Sequence, residues 1–273
     1  MKFACGIPLY HPTQENASHL EVYAQLFVRV YVFDNTEHGS ADVLANLVDR
    51  HDNIVVLGNG ENQGLSRAYN VMCRQAVTDG FDFLAIYDQD SVPDTACIES
   101  MQAHIQNAAA SDVAVFGPVI CKYAGEHAPR AEARPVDVLI SSGSFINLPI
   151  YAQTPGFDEA YFIDKVDDDY CLMAKAHGYH VIQFMDCLMV HKIGNHKKIF
   201  GKIVEQHSPL RMYYIVRNTM YLNRKYHIHS VAGSLYWLLD RVRHVLLYDD
   251  DKVAKVYMML LGVLDYFRSV RGK

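Results

Sequence analysis

The first ninety residues alternate short apolar runs with amphipathic stretches. Apolar runs at 1–9, 28–33, 54–57 and 81–87 predict four strands. Stretches at 13–26, 41–49 and 65–78 have helical spacing; in the last, Leu65, Ala68, Tyr69, Met72 and Ala76 share a face. The second run stops at Asp34-Asn35 and the fourth at Asp88, while Asn59-Gly60 and Gln63-Gly64 mark turns. Strand and helix in alternation predict an α/β fold, a mostly parallel sheet with helices on both faces. In such sheets ligands bind beyond the carboxyl ends of the strands. Asp34 and Asp88 are therefore expected on one rim, although 54 positions separate them.

From about residue 112 the rhythm changes. Residues 113–116, 136–140 and 179–184 read as strands, and 123–135 as a loop. Residues 141–144 form a small polar turn before another apolar run, and 167–177 a helix stopped at Gly178. Residues 191–202 are polar and basic and read as a loop. Three helices follow at 210–226, 231–248 and 253–270. Leu235, Leu238, Leu239, Val242, Val245 and Leu246 make an apolar face punctuated by Arg241, Arg243 and Lys252. That face suits packing on the main domain or on a second subunit, or a membrane surface.

Composition narrows the classes. The 273 residues are 50% hydrophobic and 21% charged, an ordinary globular balance. A net charge of -6 lacks the basic field of a nucleic-acid binder. Six cysteines without a C-x-x-C pair read as reduced, buried thiols of a cytosolic protein, and metal ligation by Cys is not expected. No signal peptide is visible, and no run reaches the ~18–20 apolar residues of a membrane span. The expected location is cytoplasmic, with peripheral contact to the inner face of the membrane as an option.

Several segments carry chemistry. Asp88-Gln89-Asp90 closes an apolar strand; two carboxylates one residue apart can converge on Mg2+ or Mn2+ and leave sites for phosphate oxygens. A solvated acidic turn has the same residues. Asn62 through Asn70 is a glycine-containing loop entering a helix, where backbone donors and Arg67 can hold an anion; a plain cap reads the same way. Asp164, Asp167, Asp168 and Asp169 lie within six residues, more acid than a helix start needs. One of them can serve as a general base. His191 follows an apolar run and can offer a neutral imidazole to a metal. Arg217, on a helix rich in tyrosine, can hold phosphate oxygens.

Taken in order, these stretches resemble the family-2 glycosyltransferases of the GT-A fold, in the bacterial rhamnosyltransferase-like branch. The matching segments, over about residues 1–225, are Val32-Phe33-Asp34-Asn35, Asn62-Gln63-Gly64, Asp88-Gln89-Asp90-Ser91, Gly156-Phe157-Asp158-Glu159, Phe162 through Cys171, His191-Lys192-Ile193-Gly194 and Tyr213 through Asn218. The resemblance implies a catalytic domain at 1–225, its nucleotide-binding half at 1–110 and its acceptor half at 111–225, followed by a helical extension at 226–273. It implies a nucleotide-sugar site of Pro8, Tyr10, Asp34, Asn62, Arg67, Asp88, Arg217 and Asn218. It makes Asp90 and His191 ligands of Mn2+ or Mg2+. Asp167 becomes the catalytic base, with Asp164 a rival and Asp169 the next acidic position. The implied reaction is an inverting, non-processive transfer from dTDP-rhamnose or a UDP-hexose to a lipid-linked or surface-polysaccharide acceptor. A non-catalytic nucleotide-sugar or carbohydrate-binding protein on the same fold is the alternative. The loop after Asp34-Asn35 is longer than the family's usual tight turn, and no Gln-x-x-Arg-Trp motif occurs.

Overall fold

The computed structural model describes residues 1–108, 111–121, 133–190, 195–199 and 202–273. The chain divides into two compact units. One comprises Met1–Asp158 and Asp167–Lys192; the other comprises Glu159–Val166 and Ile193–Lys273.

The first unit is built on an eight-stranded sheet. Its strands are β1 (Phe3–Leu9), β2 (Val30–Asp34), β3 (Ile54–Leu57), β4 (Phe83–Ile86), β5 (Val113–Cys121), β6 (Ala133–Pro135), β7 (Ser144–Asn147) and β8 (His180–Val190), in the order β3-β2-β1-β4-β7-β5-β8-β6. β1 pairs in parallel with β2 and β4, β2 with β3, and β5 with β8, whereas β7 runs antiparallel between β4 and β5. Every residue of β1, β2 and β4 is buried. Helices cover both faces of such a sheet, so its strands read as continuous apolar runs rather than alternating ones. The edge strands β3 and β6 are short and partly exposed, which limits unwanted pairing.

Helices α1 (Gln14–Leu26), α2 (Ala41–Arg50), α3 (Leu65–Thr78), α4 (Thr95–Asn107), α5 (Leu148–Tyr151) and α6 (Val166–Ala176) connect the strands. Thr13 and Asn16 form a reciprocal capping box at the start of α1. Asp94 caps α4 by accepting from the Cys97 N–H. The core runs through Phe3, Tyr23, Val32, Phe83, Phe116, Phe145 and Phe184, and Phe116 stacks on Phe184 with ring centroids 5.3 Å apart.

The second unit holds a hairpin, β9 (Asn195–Ile199) with β10 (Lys202–Gln206), and helices α7 (Pro209–Tyr226), α8 (Val231–Tyr248) and α9 (Lys252–Phe267). Its core joins Met212, Val216, Val245 and Met259. Among the described residues no helix is long and apolar enough to cross a membrane. Val231, Leu235, Leu239, Val253, Tyr257, Leu260, Leu264 and Phe267 are exposed on α8 and α9.

Four readings change. Of the stretch read as a loop at 123–135, residues 133–135 form β6 on the edge of the sheet, and 123–132 lie outside the described residues. Residues 136–140 are not a strand; the pairing partner of β4 is the next apolar run, β7. Of the stretch read as a loop at 191–202, residues 195–199 pair antiparallel with 202–206, where backbone ladder bonds override the polar composition, and 191–194 and 200–201 lie outside the described residues. α4 has no counterpart among the predicted elements.

Candidate active site

Parallel pairing puts the carboxyl ends of β1, β2 and β4 at one edge of the sheet. Leu9 pairs with Asp34, and Gly6 with Ile86. β7 is antiparallel, so its first residue, Ser144, lies at the same edge. Pro8 is buried in β1 opposite Phe33. Tyr10, just past the strand, is exposed.

The Asp88-Gln89-Asp90 turn is held from three sides. Gln89 Oε1 accepts from the Tyr10 N–H at 2.7 Å, and Gln89 Nε2 donates to the Tyr10 carbonyl at 3.2 Å. Asn16 Nδ2 donates to the Gln89 carbonyl at 2.8 Å. The Asp88 N–H donates to Ser142 Oγ at 3.3 Å, and Ser142 Oγ lies 2.6 Å from Ser91 Oγ. Gly143 N–H donates to the Ile86 carbonyl at 2.8 Å. The backbone is thus fixed while the Asp90 side chain stays exposed and that of Asp88 half-buried. Both offer hard oxygen donors that fit Mg2+ or Mn2+. His191 lies outside the described residues; Val190, before it, ends β8, which runs in the direction of β5.

Asp34 is buried and fastens its own loop. Oδ1 accepts from the Thr36 N–H at 2.9 Å and Ser40 Oγ at 3.1 Å, and Oδ2 from the Ser40 N–H at 2.6 Å. Gly58 leaves β3 beside it with φ +118°; a Cβ there would stand 2.6 Å from the Asp34 carbonyl oxygen. Asn35 Oδ1 accepts from the Gln63 N–H at 2.9 Å and ties this loop to the start of α3. Asn62 Oδ1 accepts from the Gly64 N–H at 3.1 Å, an Asx turn ahead of the helix. Arg67 is exposed on the first turn of α3.

Asp167 opens α6 and reaches the same polar turn. Its Oδ2 accepts from the Ser141 N–H at 3.3 Å and its Oδ1 from the Asp168 N–H at 3.0 Å. Tyr69 Oη is 3.0 Å from Ser141 Oγ. Asp167 lines a narrow apolar cavity with Val115, Leu139, Phe157, Tyr170 and Cys171. Burial against these side chains, then the neighbouring Asp168 carboxylate, raises its pKa to about 7, while the two N–H donors pull it down. α6 is itself anchored: Tyr170 stacks on Phe157 at 4.2 Å, and Asn70 brackets Phe157 by accepting its N–H at 2.9 Å and donating to its carbonyl at 2.8 Å. Asp169, two residues on, is 1% exposed, so its carboxylate faces the interior.

The remaining predicted residues belong to the second unit. Asp164 and Lys165 both have left-handed backbone, with φ +61° and +66°. The Asp164 carboxylate accepts from Arg211 Nε at 3.0 and 3.3 Å. Burial raises its pKa and Arg211 opposes the shift. Arg217 and Asn218, expected near donor phosphates, are both 0% exposed and brace this unit instead. Arg217 donates from Nε to Asn218 Oδ1 at 3.1 Å, from Nη1 to Tyr213 Oη at 3.2 Å and from Nη2 to the Gly272 carbonyl at 2.7 Å. Asn218 Nδ2 donates to the Ile163 and Asp164 carbonyls at 2.7 and 3.0 Å. A guanidinium engaged at all three nitrogens and sealed from solvent does not present itself to a phosphate.

Gln89, Asn70, Ser141 and Ser142 were not among the predicted site residues. Gln89 sits between the two aspartates, and a short polar turn such as 141–144 between apolar runs is the one signal for the serines. Asn70, inside an apolar helix, was a buried polar group in need of partners.

The mostly parallel eight-stranded sheet with connecting helices and an acidic rim at its strand ends has the architecture of the GT-A fold. Residues 18–186 match the family described as glycosyl transferase family 2, and the chain belongs to that family. It is a glycosyltransferase. It is 28% identical to dTDP-rhamnosyl transferase RfbF of Shigella flexneri, over 97% of this chain and 95% of that protein. Among solved structures it resembles S. aureus TarS 1–349, with a TM-score of 0.59 and 16% identity over 99% of this chain and 81% of that one. It also resembles the mannosyltransferase PcManGT from Pyrobaculum calidifontis, solved in complex with GDP-Man and Mn2+, with a TM-score of 0.59 and 12% identity over 98% and 87% of the two chains.

Proposed function

We propose that the protein is an inverting, metal-dependent, non-processive glycosyltransferase, with dTDP-L-rhamnose as first-choice donor and UDP-hexoses next. The acceptor is a hydroxyl of a lipid-linked oligosaccharide or growing surface polysaccharide. The observation that carries the reading is the placement of Asp167 on the turn that also holds Asp88, with burial raising its pKa toward neutrality. The likeness to a dTDP-rhamnosyl transferase favours the donor.

In this reading Asp167 takes the proton of the acceptor hydroxyl. The hydroxyl oxygen bonds to the anomeric carbon from the face opposite the donor diphosphate. The carbon–oxygen bond to that diphosphate breaks, and the nucleoside diphosphate leaves with the electron pair. Asp90, with Asp88 and His191, would hold a divalent cation, which would supply charge neutralisation for the departing phosphate. Pro8, Tyr10, Asp34, Asn62 and Arg67 line the nucleotide's side of the rim, where Asp34 acts by holding its loop in shape. The exposed apolar residues of α8 and α9 support contact with the membrane that carries the acceptor. Sedimentation with anionic vesicles tests this contact, and a concentration-dependent dimer without vesicle binding would give the face to a second copy.

The experiment is release of dTDP from dTDP-L-rhamnose, read by chromatography, with Mn2+, with Mg2+ and with EDTA, beside melting temperatures under the same conditions. Metal-dependent release with a ligand-induced rise in melting temperature is expected. A melting shift without turnover of any donor would favour the non-catalytic binding reading.

A further inference from the structure

We propose that His104, Asp186 and Cys187 form a second metal site, for Zn2+ or a cation of similar softness, that clips α4 to β8. The three residues lie outside the rim residues assigned above, and their ligand atoms all fall within 4.8 Å of one another.

The geometry follows from an irregularity in β8. Its pairing with β5 jumps from Pro118–Phe184 to Val119–Leu188, so residues 185–187 have no partner on β5. In a regular strand Asp186 and Cys187 would point to opposite faces. A bulge bends the strand and re-aims its side chains, and here both meet α4. Ser100 and His104 are one turn apart on that helix and share a face. Asp186 Oδ2 is 2.8 Å from His104 Nε2, and Cys187 Sγ is 3.3 Å from Ser100 Oγ. The imidazole is steadied by stacking on Phe184 at 4.9 Å.

Tetrahedral zinc places nitrogen, oxygen and sulfur ligands about 3.3–3.5 Å apart, with a water free to take the fourth position. The donor atoms stand 2.8 Å apart at His104–Asp186 and no more than 4.8 Å apart elsewhere, either side of that spacing. One nitrogen, one hard oxygen and one sulfur suit Zn2+ better than Mg2+ or Mn2+. His104 and Asp186 are partly exposed, which leaves an ion a way in, while Cys187 closes the inner side. The ligands come from two elements 82 positions apart, which is why a search for adjacent cysteines passes over them.

The test uses the full chain freed of metal by a chelator and titrated with Co2+. Cobalt bound to a thiolate gives a sulfur-to-metal charge-transfer absorption. Cobalt on Asp88 and Asp90 gives none, so the two sites separate without an activity assay. One equivalent should produce the band, Zn2+ should displace it, and Cys187→Ser should abolish it. His104→Ala and Asp186→Asn should each weaken cobalt binding at least about tenfold, a loss typical of a removed ligand or its partner. Absence of the band in the unmodified protein at saturating Co2+ would overturn the proposal whatever the variants do. So would a band that Cys187→Ser retains.

Discussion

The Ser141 N–H donates to Asp167 Oδ2 at 3.3 Å, and its neighbour Ser142 accepts from the Asp88 N–H at the same distance. Two consecutive residues therefore hold the acidic start of α6 and the end of β4. The spacing between Asp167 and Asp88 is set by one turn, not by two independent loops.

Asp167→Asn should lower turnover by about 10²- to 10⁴-fold, the usual worth of a general base, and leave nucleotide-sugar binding nearly unchanged. It should also gain fold stability relative to the wild type as pH rises. Asp167 binds its proton more tightly in the folded protein, at about 7, than in an unfolded chain, at about 4. That preference favours the fold fully below about pH 4 and is lost as pH rises through about 7. Above pH 7 the wild type carries an ionised carboxylate at a cost the amide avoids, about 1–2 kcal/mol after allowance for solvent screening. The amide accepts only one of the two N–H bonds, a cost independent of pH, so the melting temperature of the variant relative to the wild type should rise between pH 4 and pH 8. A variant with full turnover would remove Asp167 from the reaction.

If Asp167 is the base proposed above, it works deprotonated, and the acid limb of kcat/KM should fall near pH 7. Burial is the larger cause of the raised pKa and Asp168 the second. Asp168→Asn should therefore move the limb to lower pH without restoring an ordinary carboxylate value. The limb belongs to the pair of carboxylates rather than to one of them. A limb unmoved by Asp168→Asn would show that burial alone sets it.

Gln89→Leu removes both side-chain bonds to Tyr10 and keeps the side chain's bulk. Loss of two neutral hydrogen bonds costs about 1–3 kcal/mol, spread between fold stability and the fit of the rim. Donor KM should rise more than kcat falls, because Gln89 steadies the strand ends rather than touching the transferred proton. Steady-state kinetics with varied donor resolves the two effects.

The parallel rim was legible in the sequence because β1, β2 and β4 are continuous apolar runs that end in charged or polar residues. Asp34 and Asp88 were legible as positions for the same reason, and Asp167 as one of four acids within six residues at a helix start. What each carboxylate touches was not, since Asp34 spends its oxygens on Thr36 and Ser40 and Asp169 turns inward. These outcomes depend on loops that fold back over several residues, and period analysis does not see them. The β9–β10 hairpin was hidden by a lysine-rich composition, and Arg217 looked like a phosphate ligand because a buried guanidinium has no sequence signature. Gln89 and Asn70 act by bonding to backbone 79 and 87 positions away, which local spacing does not reveal.

Gly156→Ala should loosen α6 from a distance. Gly156 has φ +74°, and an added Cβ would lie 2.8 Å from Asn70 Oδ1 and 3.0 Å from the Tyr151 ring. Asn70 is the residue that brackets Phe157, and Phe157 supports Tyr170. Left-handed backbone strain of about 1–3 kcal/mol adds to that displacement. A drop of several degrees in melting temperature with reduced kcat is expected, and Gly156→Ser should do no better.

Arg217→Ala should unfold the second unit's brace rather than weaken donor contact. Three hydrogen bonds vanish, and the Asn218 amide and the Gly272 carbonyl lose a partner. Each buried acceptor left without its donor costs about 1–3 kcal/mol. Arg217→Lys should recover little, because one ammonium cannot reach Asn218, Tyr213 and the Gly272 carbonyl together in the guanidinium's planar geometry. Per folded molecule, donor KM should stay within about twofold of wild type. A large rise in donor KM with an unchanged melting temperature would instead return Arg217 to the donor phosphates.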